Sequence, residues 1–116
     1  AIPWTAGYCS VFAAALQRRF GGEIWAIADY PKKNPEEDYL IHCYCVIDGV
    51  AYDADGPHPL AEASSIEDWE SSPDWKVKWC KVNEEWLDEV HADFDTSKLG
   101  SAYRYISRHP KLFPVG

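Results

Sequence analysis

The sequence predicts an α+β fold in which an N-terminal helix packs on an antiparallel sheet, with additional helices towards the C-terminus. An apolar stripe at helical spacing runs through residues 8–20. Two segments rich in β-branched and aromatic residues, 23–30 and 39–47, follow it. Asp48-Gly49 ends the second segment, and this dipeptide is a strong signal for a two-residue hairpin turn.

The first helix is predicted by its apolar positions and by its end. The stripe consists of Cys9, Phe12, Ala13, Leu16 and Phe20. The pair Arg18-Arg19 suits the last turn, because the C-terminal end of a helix dipole is negative. Gly21-Gly22 follows and favours a helix stop at this point.

The centre of the predicted sheet is the hairpin made by residues 39–47 and 50–54. The first strand reads "YLIHCYCVI" and its partner reads "VAYDA", directly after the turn. The polar, proline-broken stretch 31–38 predicts a loop before the hairpin, and "DGPHP" ends the return strand. With 23–30 the sheet has at least three strands.

The second half of the chain predicts shorter elements. Residues 64–72 begin with serine caps and acidic residues, which predicts a short helix. Residues 75–82 alternate apolar and basic side chains, which is the pattern of a strand with one solvent-exposed face. Residues 83–90 follow an asparagine cap, and residues 97–109 stop at Pro110, so both segments predict helices.

Composition predicts one domain over residues 1–116 and limits its partners. The chain is 47% hydrophobic with six tryptophans, which is enough for a core without a metal. A formal net charge of -8 argues against nucleic acid or an anionic membrane as the main partner, because like charges repel. No segment has the ~18 consecutive apolar residues of a membrane span, and none has the pattern of a secretion signal. Methionine is absent even at position 1, so we expect a trimmed chain, a processed product or a domain of a longer protein.

Three of the four cysteines are expected to be core residues. Cys43 and Cys45 alternate along a predicted strand, so both point to one face, and their spacing is not that of a zinc CxxC pair. Cys80 lies in the alternating segment 75–82. An even count also permits two disulfides, but we expect free thiols because the core is sufficient without them.

The hairpin brings a histidine and two aspartates to one face of the sheet. If Ile47 pairs with Val50, moving one residue back along the first strand moves the partner one residue forward along the second. His42 then lies opposite Asp55. Asp53 is then a diagonal neighbour of His42 on the same face. A carboxylate beside an imidazole fixes its tautomer and raises its basicity. Either aspartate is a candidate for this role.

Cys9 is the candidate nucleophile, because it stands at the start of the first helix. The free N–H groups and the dipole of a helix N-terminus favour a thiolate over a thiol. A nearby imidazole draws off the thiol proton, and the same N–H groups can receive an oxyanion. A serine would cap the helix better, so the choice of cysteine indicates chemistry.

The order of these parts, "GYCSVFAAAL", a strand with His42 and then "GVAYDADG", resembles the papain-like thiol hydrolases in the broad sense. That superfamily includes the NlpC/P60 and CHAP cell-wall peptidases and small bacterial toxin or phage enzymes. The resemblance covers about residues 5–57. It implies a papain-like core, with Cys9 as nucleophile, His42 as general base and Asp53 as the orienting residue.

Two departures from the family pattern concern the residues around Cys9. Papain-type enzymes carry a glutamine shortly before the nucleophile, whereas this chain has "AIPWTA" there. Either Tyr8 or a backbone N–H would hold the oxyanion, or the corresponding residue lies before Ala1. NlpC/P60 chains have "DCS" where this chain has "YCS".

Trp4 and Trp25 flank the helix in sequence and are candidates for a substrate groove. His58, in a proline-bounded loop, is a rival base, although a solvated loop histidine is the simpler interpretation.

The sequence therefore predicts a thiol hydrolase or acyl transferase that uses Cys9, His42 and Asp53 or Asp55, without a metal or another cofactor. The expected substrate is a peptide, a protein or peptidoglycan, and deamidation of a target protein would use the same groups. A cognate inhibitor protein is a further partner that this class allows. The alternative is a non-catalytic acidic binding protein that occupies a basic partner surface.

Overall fold

The computed structural model describes residue 4 and residues 7–31, 39–66, 75–91 and 94–114. Within these ranges the fold is α+β, with one antiparallel sheet in the strand order β4-β3-β2-β1-β5. The strands are β1 (Glu23–Pro31), β2 (Tyr39–Ile47), β3 (Val50–Asp53), β4 (Gly56–Pro59) and β5 (Trp75–Val82). The helices are α1 (Cys9–Phe20), α2 (Leu60–Ala63), α3 (Glu84–Val90) and α4 (Leu99–Arg108), with a 3-10 turn at Thr96–Lys98.

Helix α1 forms as the apolar stripe predicts and supplies one side of the core. Its residues from Cys9 to Leu16 are all buried, and Val11, Ala14 and Leu16 have no exposed surface. They pack against Cys43 and Cys45 of β2, which confirms that these two cysteines share a buried face. The predicted helix end is also confirmed, since α1 stops at Phe20 and Gly21 has a positive φ of 82°.

The hairpin of β2 and β3 has the predicted register. Ile47 pairs with Val50 and Cys45 pairs with Tyr52, around a turn in which Asp48 and Gly49 both have positive φ. Positive φ at both central residues is the geometry of the hairpin turn that Asp-Gly favours. The pairing of β2 with β3 covers only these few residues, because the chain leaves β2 and turns back into β4 after Asp53.

The stretch after the hairpin differs from the sequence prediction. "GPHP" forms the edge strand β4 rather than only ending β3. A helix was predicted over 64–72, but α2 occupies Leu60–Ala63, Ser64 is its C-cap and residues 64–66 are not helical. Residues 67–72 lie outside the described residues. Leu60–Ala63 consists of good helix formers after a proline, and this outweighs the capping signal of the serines.

Candidate active site

Cys9 is the first residue of α1 and lies just below the surface, with 6% of its area exposed. Tyr8 precedes it as the N-cap, and its side chain makes no capping hydrogen bond. The Cys9 side chain interacts with those of His42 and Cys43 on β2. The pairing of β2 with β3 stops at Cys45. His42 and Cys43, which Cys9 contacts, therefore lie in the part of β2 that is not paired with β3.

His42 is held on its other side by Asp53. Nε2 of His42 and Oδ2 of Asp53 are 3.0 Å apart, and both residues are buried, at 9% and 7% exposed. A carboxylate only accepts hydrogen bonds, so Nε2 of His42 is the donor. This leaves Nδ1 as the ring nitrogen that is available to Cys9. The structure thus brings Cys9, His42 and Asp53 together in the order that a thiol–imidazole–carboxylate site requires.

Asp55, the other candidate for the orienting acid, is not paired with His42. Its side chain is exposed, and its backbone N–H donates to Oδ1 of Asp53 over 2.9 Å. The expected pairing fails because the strand does not continue to Asp55. The chain turns at Ala54-Asp55, so that Asp53 pairs with Gly56 of β4. Asp55 therefore acts as the turn residue that caps Asp53 through its backbone.

The charges of Cys9 and His42 favour an ion pair. The interaction with Cys43 is the largest influence on Cys9 and exceeds the opposing effect of burial, and the hydrogen bond and charge of His42 add to it. Together they lower the pKa of Cys9 from 9.0 to about 4. Burial alone would lower the pKa of His42, but its hydrogen bonds with Asp53 and Cys9 raise that pKa from 6.5 to about 9. Between these two values the favoured state is a thiolate beside an imidazolium.

Asp53 is arranged to stay ionised. Burial alone would raise its pKa, but hydrogen bonds from His42, His58 and the backbone N–H of Asp55 lower it below the ordinary value. A charged carboxylate beside the ring stabilises the imidazolium form of His42.

His58 does not lie in a solvated loop, as the simpler interpretation had it. It is a half-buried residue of β4, and its Nε2 lies 2.8 Å from Oδ1 of Asp53. Since its partner is the carboxylate rather than Cys9, the geometry does not support His58 as a rival base. The sequence signal for this contact was Ala54-Asp55-Gly56, a second turn that makes the next strand return beside β3.

The aromatic residues that were predicted for a substrate groove lie in different places. Trp4 is buried, with its ring 5.4 Å from that of Phe12, so it belongs to the core. Tyr8 is half-buried beside Cys9 and remains next to the site. Trp25 pairs with Tyr44 across β1 and β2, on the sheet face opposite to the one that carries Cys43.

Ring contacts connect Trp25 to His42 across that second face. Trp25 stacks on Trp79 with centroids 5.5 Å apart, Trp79 lies 5.9 Å from Tyr44, and Tyr44 lies 4.7 Å from His42. Trp79 and Tyr44 were not among the predicted site residues, although their place in alternating strands of the sequence put them on one face with Trp25. This row of rings borders the imidazole that Cys9 contacts.

Among the described residues, no group of three or more His, Cys, Asp or Glu side chains is arranged to hold a metal ion. In the same residues, every helix is too short or too polar to cross a bilayer. Cys9, Cys43 and Cys45 are free thiols. Comparison with known proteins found no matching family model, no matching curated protein and no matching solved structure.

Proposed function

We propose that this protein is a cysteine-dependent acyl-transfer enzyme, in which Cys9 is the nucleophile, His42 the acid and base and Asp53 the orienting residue. The observation that carries the proposal is the chain of contacts from Cys9 through His42 to Asp53, in which Nε2 of His42 is 3.0 Å from the carboxylate. The fold supports it further, because a cysteine at a helix start, a histidine on a strand and an aspartate on the next strand resemble the papain-like arrangement.

The reaction begins with the thiolate, which the low pKa of Cys9 favours at neutral pH. The sulfur attacks an amide or ester carbonyl, and a C–S bond forms as the carbonyl π electrons move to oxygen. The first N–H groups of α1 have no partner within the helix and can bind this oxyanion. The oxyanion then reforms the carbonyl, the C–N or C–O bond to the leaving group breaks as His42 gives its proton to the departing amine or alcohol, and an acyl-enzyme remains.

Release of the acyl group reverses these roles. A water molecule, or an amine, loses a proton to His42 and attacks the thioester carbon, and the C–S bond breaks. Peptide, isopeptide and peptidoglycan stem-peptide bonds are the substrate class that such chemistry serves, and side-chain deamidation follows the same steps. Asp53 keeps Nε2 of His42 protonated throughout and thereby keeps Nδ1 towards the sulfur.

The test measures the reactivity of Cys9 in the reduced protein. Alkylation by iodoacetamide at about pH 6 is expected to modify Cys9 well before Cys80, the more exposed thiol on β5, because the contacts with Cys43 and His42 favour the thiolate form of Cys9 at this pH. An activated aryl ester is expected to leave an acyl group on Cys9, and peptide mapping by mass spectrometry identifies the modified residue.

Asp53→Asn and Asp55→Asn are the matched pair of variants for this test. Asparagine at 53 presents an N–H to one of its two histidines, so the alkylation rate at about pH 6 is expected to fall about tenfold or more. Asparagine at 55 keeps the backbone N–H and is expected to leave the rate unchanged. If Cys9 resists alkylation until the protein is unfolded, the proposal fails and the acidic binding protein becomes the better interpretation.

A further inference from the structure

Asp53 binds a histidine on each of its two carboxylate oxygens. Nε2 of His42 lies 3.0 Å from Oδ2, and Nε2 of His58 lies 2.8 Å from Oδ1. The backbone N–H of Asp55 donates to Oδ1 as well, over 2.9 Å. Because the carboxylate only accepts, both imidazoles carry a hydrogen on Nε2. One side chain therefore orients two rings.

The β3–β4 hairpin places His58 at this carboxylate. Asp53 pairs with Gly56 and Ala51 pairs with His58, so Asp53 and His58 project from the same face of neighbouring strands. Gly56 has a φ of 101°, which a residue with a side chain rarely adopts, and it permits the sharp return of the chain. His58 is thus fixed by the backbone on both sides of the turn.

Tyr44 packs against both histidine rings. Its ring centroid lies 4.7 Å from that of His42 and 5.6 Å from that of His58, and both contacts are edge-on. The side chains of His42 and Asp53 are 11% and 8% exposed, whereas that of His58 is 27% exposed. His58 is therefore the solvent-facing end of the row Cys9–His42–Asp53–His58.

We propose that His58 is a positioning residue that holds the Asp53 carboxylate in the orientation in which Oδ2 meets His42. This role rests on the proposed function of Cys9 and His42. His58 acts through Asp53 and does not itself exchange a proton with the substrate. Its contribution is to bind Oδ1 firmly, so that rotation of the carboxylate about its Cβ–Cγ bond costs a charge-assisted hydrogen bond.

Loss of this bond is expected to reach Cys9 in two steps. Without His58, the backbone N–H of Asp55 is the remaining described donor to Oδ1, and the carboxylate gains freedom to turn away from His42. The imidazole is then less firmly held with Nδ1 towards the sulfur, and the imidazolium is less stabilised. A smaller fraction of Cys9 is therefore ionised below neutral pH.

The experiment compares the pH profile of Cys9 alkylation by iodoacetamide in four variants of the full chain. His58→Ala removes the donor, and its rate at about pH 6 is expected to fall about tenfold, the order of one charge-assisted hydrogen bond, with the profile moved to higher pH. His58→Gln is expected to restore the rate, because its amide nitrogen takes the place of Nε2. The asparagine side chain of His58→Asn is too short for its amide nitrogen to reach Oδ1 of Asp53, so this variant is expected to behave like His58→Ala. His109→Ala, at the exposed end of α4, is the control for loss of a histidine and is expected to match the wild type.

The outcomes separate this inference from the proposed function. If the wild type reacts rapidly at about pH 6 and the profile of His58→Ala coincides with it, the positioning role is wrong while the function stands. The same holds if thermal unfolding shifts and the alkylation profile does not, since this marks a purely structural bond. If His58→Ala does not fold, His58→Asn against His58→Gln gives the same decision. A wild-type Cys9 that is unreactive overturns both proposals.

Discussion

Cys43 and Cys45 are alternate residues of one strand in one core, but their thiols have different surroundings. Cys45 donates from Sγ to the backbone carbonyl of Gly21 over 3.4 Å, and burial raises its pKa to about 12. Burial raises the pKa of Cys43 too, but its thiol also interacts with Cys9. A neutral thiol beside a thiolate is a hydrogen-bond donor, so Cys43 stabilises the charged form of Cys9. The sequence predicts only core packing for Cys43, whereas its thiol also contacts Cys9.

Replacement of Cys43 by alanine is therefore expected to raise the pKa of Cys9. The largest influence that lowers this pKa disappears, while the effect of His42 remains. Cys45→Ala removes a sulfur from the same core and is expected to leave the pKa of Cys9 in place. The measurement is the midpoint of the pH dependence of Cys9 alkylation in the two variants. Equal midpoints would show that Cys43 contributes packing alone.

At the level of elements, the parts of the fold that follow simple patterns were predictable. Helix α1 has both a stripe and a stop, and β2–β3 has a turn dipeptide that dictates its register. Strand β4 was missed because Pro57 and Pro59 favour a loop interpretation. Proline is tolerated in β4 because this strand lies at the edge of the sheet.

The same missed strand explains which parts of the site could not be predicted. Cys9 and His42 follow from the helix start and the hairpin, which leaves Asp53 and Asp55 as alternatives for the orienting acid. The choice between Asp53 and Asp55 depends on where β3 ends, which is set by the second turn and by the φ of Gly56. The contact of His58 with Asp53 could not be predicted, because it exists only when β4 pairs with β3. The contact of Cys9 with Cys43 depends on the packing of α1 on β2, which no local pattern states.

Helix α3 is attached to the start and to the later part of α1 by two different bonds. The fully buried Ser10 hydroxyl lies 2.6 Å from Nδ1 of His91, at the C-terminal end of α3. Arg18 donates to the carboxylate of Glu84 in the first turn of α3, in an exposed ion pair. The Ser10 bond anchors the turn of α1 that carries Cys9.

Ser10→Ala is expected to destabilise the protein more than Arg18→Ala does. Loss of the buried hydroxyl costs about 1 kcal/mol, because His91 loses its partner in a half-buried position. The exposed ion pair is expected to contribute about 0.5 kcal/mol, since water and salt screen it. The first change is expected to lower the melting temperature by about 4 °C, and calorimetry measures both. A larger effect of Arg18→Ala would contradict this assignment of the α1–α3 contact.

At the level of the whole molecule, the free energy of unfolding depends on pH through every group whose pKa changes on folding. The folded pKa of Cys9 is about 4 against an ordinary 9.0, so its contribution is full above pH 9 and is lost as the pH falls to about 4. The folded pKa of His42 is about 9 against an ordinary 6.5, so its contribution is full below pH 6.5 and is lost as the pH rises to about 9.

These two trends combine to give a curve with a plateau. Between pH 6.5 and about 9 the folded state keeps the proton of His42 while the unfolded state keeps that of Cys9, so the two pH dependences cancel. Between about pH 4 and 6.5 only Cys9 differs, and stability rises with pH. The lowered pKa of Asp53 adds a further loss only as the pH falls below its ordinary 3.8.

The prediction is tested by thermal unfolding of the wild type and of the double variant Cys9→Ser/His42→Gln over this pH range. The stability of the wild type relative to the variant is expected to be level from about pH 9 to 6.5 and to fall from there to about pH 4. In the lower range the unfolded wild type binds one proton more at Cys9 and His42 than the folded protein does, so unfolding takes up a proton. The slope cannot exceed about 1.4 kcal/mol per pH unit, the limit for a single proton. Surface carboxylates titrate alike in both proteins, so the difference isolates the pair. A difference that stays flat down to about pH 4 would contradict the ion pair, because it would mean that the folded protein keeps a thiol at Cys9 beside a protonated His42 and so binds as many protons as the unfolded chain.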